Sequence, residues 1–211
     1  MRNFDIIRLK LYIYLHNYLY NRISSLSTKL NNGIHPKHRI MDFHKFFLNN
    51  LEKDAKVLDI GCGIGALTND IAKKAKLVVG IDINAKSIET AKKKFNQPNI
   101  EYIVADATNY DFNQKFDYII LSNVLEHIKD RYSFLKRIKL VSNNLLIRVP
   151  LYNRSWLTVY KKQLGLEYRL DKSHFVEYTT KTFKKEMKYV GLDIESFEIQ
   201  FGEIWAKARY A

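Results

Sequence analysis

The sequence predicts an α/β protein: a mostly parallel sheet covered by helices on both faces, preceded by a helical segment. Three observations carry this. From Val57 onward, short β-branched and apolar runs alternate with helical patterns. The first run ends in a glycine-rich turn, "VLDIGCGIG" (Val57 to Gly65). The 211 residues, 46% hydrophobic and 27% charged, suffice for one domain with a full core plus a helical appendage.

Residues 1–50 read as helical. Phe4, Ile7, Leu11, Leu15, Tyr18 and Leu19 recur at spacings of three and four, followed by Ile23, Leu26 and Leu30. "NNGIHPKH" interrupts them with Gly33 and Pro36, and the amphipathic "RIMDFHKFFLNNL" follows. The Tyr-rich, basic composition is that of a helix lying on a membrane surface, and equally that of one packing on its own domain, which is the expectation here.

The alternation then runs "KVLDI", a helix "ALTNDIAKKA", "KLVVGIDI", a helix "NAKSIETAKKKF", "IEYIVADA", "FDYIILSN", a helix "DRYSFLKRIKLV", "NNLLIRV", a helix "TTKTFKKEMKYV", and two closing strands around "IESFEIQ" and "EIWAKARY". Continuously apolar strands between helices imply burial on both faces. The last two strands have no helix between them and should pair antiparallel at one edge. Residues 150–178 form an excursion from the carboxyl end of the fifth strand, where open α/β sheets bind ligands. It is the expected place for substrate contacts or a lid.

The formal charge is +13, with scattered Lys and no basic run of the kind that marks a nucleic-acid tail. Nucleic acid is an open but not favoured partner. Cys62, the single cysteine, excludes an intrachain disulfide and sits where packing wants a small side chain. Charged residues break the apolar start, so neither a secretory signal nor a membrane span of ~20 residues is expected. A cytoplasmic location with only peripheral membrane contact follows as the expectation.

Taken alone the glycine turn is ambiguous. Gly61, Gly63 and Ala66 satisfy the relaxed dinucleotide pattern, and Asp82 stands where a ribose-binding acid belongs. A nicotinamide or flavin cofactor is therefore a rival. Asp59 argues against it, because a carboxylate beside a pyrophosphate costs Coulomb energy, whereas a ligand carrying an α-amino group and a sulfonium gains. Asp106, ending the third strand, suits an exocyclic amine. Acids ending three neighbouring strands make a slot for a nucleoside with an amino-acid tail, as in S-adenosyl-L-methionine (SAM).

In this order and spacing, "VLDIGCGIG", "GIDIN", "VADAT" and "FDYIILSNVLEHI" resemble the class I SAM-dependent methyltransferases. The resemblance covers about residues 51–150 closely. It implies a Rossmann-like seven-stranded sheet of order 3-2-1-4-5-7-6 with an antiparallel last strand. It also implies an N-terminal helical segment, 1–50, covering the cofactor and substrate pocket. The methyltransferase domain would then be 51–211, with 150–178 as a substrate-side insertion. Carried over residue by residue, Gly61, Gly63 and Gly65 bring backbone against the methionyl portion, with Asp59 near its amino group. Asp82 holds the ribose hydroxyls and Ile83 lies on the adenine face. Asp106 meets the adenine amine beside the backbone of Ala107, Ser122 lines the path to the methyl group, and Arg39 reaches the cofactor's carboxylate.

Methyl transfer is an in-line displacement that needs a base only for some acceptors. "NVLEHI" offers Glu126 and His127, and His127 is the candidate general base, its competing role being a cap or core histidine. In the similar ubiquinone-pathway O-methyltransferases and HEN-type small-RNA 2′-O-methyltransferases this segment reads E-x-x-E-H and binds a divalent metal, the RNA enzymes adding a later His. Here Asn123 replaces the first Glu, while His174 in "SHFVEY" remains; with one carboxylate lost, no metal is assigned. Glu126, His127 and His174 are thus the catalytic candidates. The expected acceptor is a small molecule, glycan or lipid-linked intermediate, methylated at oxygen. An RNA methyltransferase and a non-catalytic SAM-binding module are the alternatives, with an NAD-dependent oxidoreductase behind them.

Overall fold

The computed structural model describes residues 2–211, with side chains from Phe4 onward. The chain forms two compact units, Met1–Phe43 and His44–Ala211.

The first unit is a long helix, α1 (Arg2–Leu30), and a short one, α2 (Lys37–Met41). The break falls where glycine and proline forecast it. Asn32 and Gly33 adopt positive φ, and Ser24 Oγ pairs with His35 Nε2 at 3.0 Å across the turn. The apolar residues of α1 that recur at three and four, from Phe4 to Leu30, are exposed, and Ile13 is the buried one among the described α1 side chains. No helix of the described residues is long and apolar enough to cross a membrane.

The second unit continues through α3 (Phe43–Asn50) into a seven-stranded sheet. Its strands are β1 (Lys56–Ile60), β2 (Leu77–Asp82), β3 (Ile100–Val104), β4 (Tyr118–Ser122), β5 (Asn144–Pro150), β6 (Leu192–Gln200) and β7 (Glu203–Tyr210). Their order is β3-β2-β1-β4-β5-β7-β6, with β7 antiparallel to both its neighbours. That is the sheet the resemblance implied. The connecting helices are α4 (Ala66–Ala72), α5 (Ala85–Lys94), α6 (Arg131–Ile138), α7 (Trp156–Gln163) and α8 (Thr180–Tyr189). Of these, α7 was not legible in the sequence; it lies within the 150–178 excursion and is capped by Ser155, whose side chain accepts from the Thr158 amide.

The apolar strand runs explain the layering. Leu58, Ile60, Val79, Ile81, Ile119, Leu121, Leu145 and Ile147 are buried in one cluster with Phe134, Leu135 and Ile138 of α6 and Phe183 and Met187 of α8. Each such side chain is worth roughly 1.5–3 kcal/mol when fully buried. Connections leave β1 toward β2 and β3 on one side and pass to β4 and β5 on the other, so the strand order reverses between β1 and β4. At that reversal two crossovers diverge and leave a crevice beyond the carboxyl ends of the strands.

Candidate active site

The crevice is floored by the turn after β1. Gly61, at φ 70°, donates its amide to Ile81 O at 2.8 Å; a Cβ there would come within 2.6 Å of Val124 Cγ2. Gly65, at φ 80°, is the N-cap of α4, and a Cβ there would meet the Tyr102 hydroxyl at 2.5 Å. Only glycine meets both the dihedral and the space at these two positions.

Three acids stand at the strand ends, each held differently. Asp82 accepts the Gly63 amide at 2.9 Å on one oxygen and the Asn84 amide at 2.8 Å on the other. Asp106 accepts the Thr108 amide and hydroxyl at 2.8 and 2.7 Å, both on Oδ1. Asp59 is buried and accepts the Thr68 hydroxyl at 2.6 Å. Burial raises its pKa to about 7; the Thr68 bond opposes that rise and the nearby Asp82 charge adds to it.

Above the turn lies a cavity of about 750 Å³ whose walls include Gly61, Asp82, Ile83, Asp106, Ala107 and His127. This volume suits a nucleoside-sized ligand. Asp59, Gly63, Gly65, Ser122, Glu126 and His174 are not on its wall. Ser122 instead accepts from Arg148 Nη1 at 3.1 Å, and Arg148 is paired with Glu203 at 2.6 Å in the core. The Ala107 carbonyl accepts from Arg137, which also donates to Tyr110 O at 3.0 Å. Arg39 stands exposed on α2, in the other unit.

Past β4 the chain turns at Asn123, φ 58°, into one 3₁₀ turn, Leu125–His127. The excursion is stapled here, for the Phe175 amide donates to Glu126 O at 2.8 Å. One ligand-capable atom each from Glu126, His127 and His174 lies within 4.8 Å of the other two. The Glu126 carboxylate is buried, and both its oxygens, like Asn123 Oδ1, find no hydrogen-bond partner among the described residues. Burial raises the Glu126 pKa to about 8.

The histidines are oriented from behind. Ser173 Oγ donates to Asp171 Oδ1 at 2.7 Å, so at the 2.9 Å contact with His127 it must accept from Nδ1–H. His174 Nδ1 lies 2.9 Å from Glu177 Oε1. Burial of Glu177 is outweighed by His174, the Leu170 amide and Arg154, which hold it below the ordinary carboxylate range. An ionised Glu177 only accepts, which puts the proton on His174 Nδ1. Burial, then His174, lowers the His127 pKa. His127 therefore keeps a bare Nε2.

Residues 57–143 match the methyltransferase domain family. They run from the first strand and its glycine turn through the three acids and the Glu126–His127 turn. Residues 57–143 carry a methyltransferase domain. The ubiquinone biosynthesis O-methyltransferase of Pelagibacter ubique is 36% identical over 121 residues, 56% of this chain and 50% of that one. The chain spans about half the length of the curated relatives it matches. Among solved structures, magnesium protoporphyrin IX methyltransferase from Synechocystis PCC 6803 with bound S-adenosylhomocysteine (SAH) shares the fold at TM-score 0.63 and 21% identity, over 82% of this chain and 83% of that one. A SAM-dependent methyltransferase from Clostridium acetobutylicum does so at 0.64 and 17%, over 92% and 99%.

Of the sequence-derived residues, the fold brings Gly61, Asp82, Ile83, Asp106, Ala107 and His127 onto one cavity. It sets Glu126 and His174 behind His127. Sequence reasoning did not single out Thr68, Ser173, Phe175 or Glu177. Only Glu177 left a trace, three residues after His174 in "SHFVEY".

Proposed function

We propose that the domain transfers the methyl group of SAM to an oxygen of a small or modular acceptor: a sugar, a lipid-linked intermediate or another metabolite. The observation that carries this is the sign of the glycine turn. The Gly63 amide, which a pyrophosphate would need, is bonded to Asp82, and the buried Asp59 stands behind it. Such a turn favours a cationic ligand over a diphosphate. The relatives' name, ubiquinone biosynthesis O-methyltransferase, supports oxygen as the acceptor atom.

In this reading Asp59 acts on the methionyl amino group, Asp82 on the ribose and Asp106 on the adenine amine. Gly63 and Gly65 shape the methionyl end, and Ser122 lines the path to the methyl group. A reducing cytoplasmic setting agrees with the single, buried Cys62.

The acceptor oxygen attacks the methyl carbon in line, the carbon–sulfur bond breaks, and the pair stays on sulfur as SAH leaves. His127, the member of the trio on the cavity wall, takes the acceptor's proton on its bare Nε2. Its Nδ1–H stays on Ser173, which keeps the ring in the tautomer a base requires. The resemblance to metal-binding methyltransferases raises a second role for the trio, and the unpartnered Glu126 carboxylate, within 4.8 Å of a ring nitrogen of each of His127 and His174, fits a divalent cation. When bound, such an ion would lower the pKa of an acceptor hydroxyl.

Calorimetric titration with SAH and with NAD tests the cofactor. Transfer of labelled methyl from SAM to a panel of phenols and sugar alcohols tests the reaction, with His127→Ala expected to keep SAH affinity and lose turnover. NAD binding without SAH binding would refute the proposal. The charge of +13 favours one other acceptor, RNA; binding that falls steeply with salt would support it.

A further inference from the structure

The apolar stripe of α1 is exposed along its whole length, from Phe4 (66%) through Leu11, Leu15 and Leu19 to Leu30 (86%). It runs about 40 Å at 1.5 Å per residue. At 3.6 residues per turn, the buried Ile13 and the half-buried Leu9, Asn17, Ser24 and Ser27 fall on the opposite side. The stripe is therefore the side of α1 left to solvent. Contiguous exposed apolar surface on this scale marks a place that meets another surface.

Charge indicates which surface. α1 holds one acid, Asp5, which already lies 3.8 Å from Arg8. Lys10, Arg22 and Lys29 are exposed and make no ion pair among the described residues. By the same helical geometry Arg22 and Lys29 fall in line with Leu11, Leu15 and Tyr18, and Lys10 flanks them. Tyr12, Tyr14, Tyr18 and Tyr20 are exposed as well, and rings with a polar tip suit the boundary between lipid headgroups and acyl chains. A second copy of the chain fits less well. A heptad seam through Phe4, Ile7, Leu11, Tyr14 and Tyr18 meets Asn21 and Ser25 next, so it lasts two heptads, and pairing would bring like charges together. Nucleic acid would match the charge but leave the stripe in water. We infer that α1 is a docking face for an anionic lipid surface. The helix lies in the headgroup plane, its leucines and tyrosines at the acyl boundary and its basic side chains on lipid phosphates. This inference stands apart from the methyltransferase reading.

The test is flotation of the full chain with vesicles of phosphatidylcholine, alone and mixed with phosphatidylglycerol, at low and high salt. The expected result is binding to the mixed vesicles only, weakened by salt. Each basic residue near an anionic surface is worth roughly fivefold, so Lys10→Gln, Arg22→Gln and Lys29→Gln together should weaken binding roughly 100-fold. Leu11→Glu with Leu15→Glu puts acids on the face that enters the lipid and should abolish binding. All five positions are exposed, so unchanged thermal melting of both variants separates lost docking from lost folding. The whole chain carries +13; binding that survives the Leu11 and Leu15 changes would come from charge elsewhere and would overturn the inference. No binding to the mixed vesicles would overturn it too. So would a dimer in light scattering that the Leu11 and Leu15 changes dissolve, since the stripe would then join two copies of the chain.

Discussion

Asp82 and Gly63, nineteen positions apart, are joined by a 2.9 Å hydrogen bond from the glycine amide to the carboxylate. This bond ties the end of β2 to the turn after β1 and gives the floor of the cavity a negative edge. Asp82→Asn replaces one accepting oxygen by a donor, so either the Gly63 or the Asn84 amide loses its partner. Bonds to charged groups are worth ≈ 1.5–3 kcal/mol, and SAH affinity should fall roughly 10- to 100-fold by calorimetry. Unchanged affinity would remove Asp82 from the cofactor site.

Gly61→Ala should destabilise the fold by roughly 1–3 kcal/mol, since it forces positive φ on alanine and drives its methyl into Val124. Pairing it with Val124→Ala should recover part of the loss in thermal melting. No recovery would mean that the dihedral, not the contact, decides.

Asp59 makes stability depend on pH. Its folded pKa of about 7 lies above the ordinary value of 3.8, so the folded state holds a proton that the unfolded state has released. Its contribution is fully present below about pH 4 and is lost as pH rises to 7. The sum is on the order of 2–4 kcal/mol. Asp59→Asn should flatten that part of the melting-temperature profile. Cofactor binding has the opposite sign: if an ammonium sits near Asp59, SAH affinity rises with pH through 7.

Arg148 and Glu203 form a buried pair at 2.6 Å. Glu203→Ala leaves a guanidinium in the core, and breaking one side of such a pair costs about 3–5 kcal/mol. Chemical denaturation should show a loss of that size, while Arg148→Met with Glu203→Leu recovers most of it.

The sheet was legible because its strands are short apolar runs bounded by turn residues, and because the glycine turn and strand-end acids lie close in sequence. Ser173 and Glu177, the partners that orient the two histidines, were not, because the excursion that carries them has no periodic pattern. α7 escaped because charge and aromatic residues interleave in "WLTVYKKQ". In α1 the apolar period announced a helix correctly, yet period alone does not say which face is covered. Ile13, off that stripe, is buried while the stripe is exposed. Asp59 was placed by charge alone, and no spacing rule foretold that Thr68, nine residues on, would cover its oxygen.

The position of β7 has a consequence for synthesis. β5 borders it on one side and β6 has no other strand partner. As the chain leaves the ribosome, β5 emerges with one side bare and β6 with nothing to lie against, until residues 203–210 arrive between them. A nascent polypeptide halted short of that point exposes an open ladder of amides and carbonyls, the template on which chains stick together.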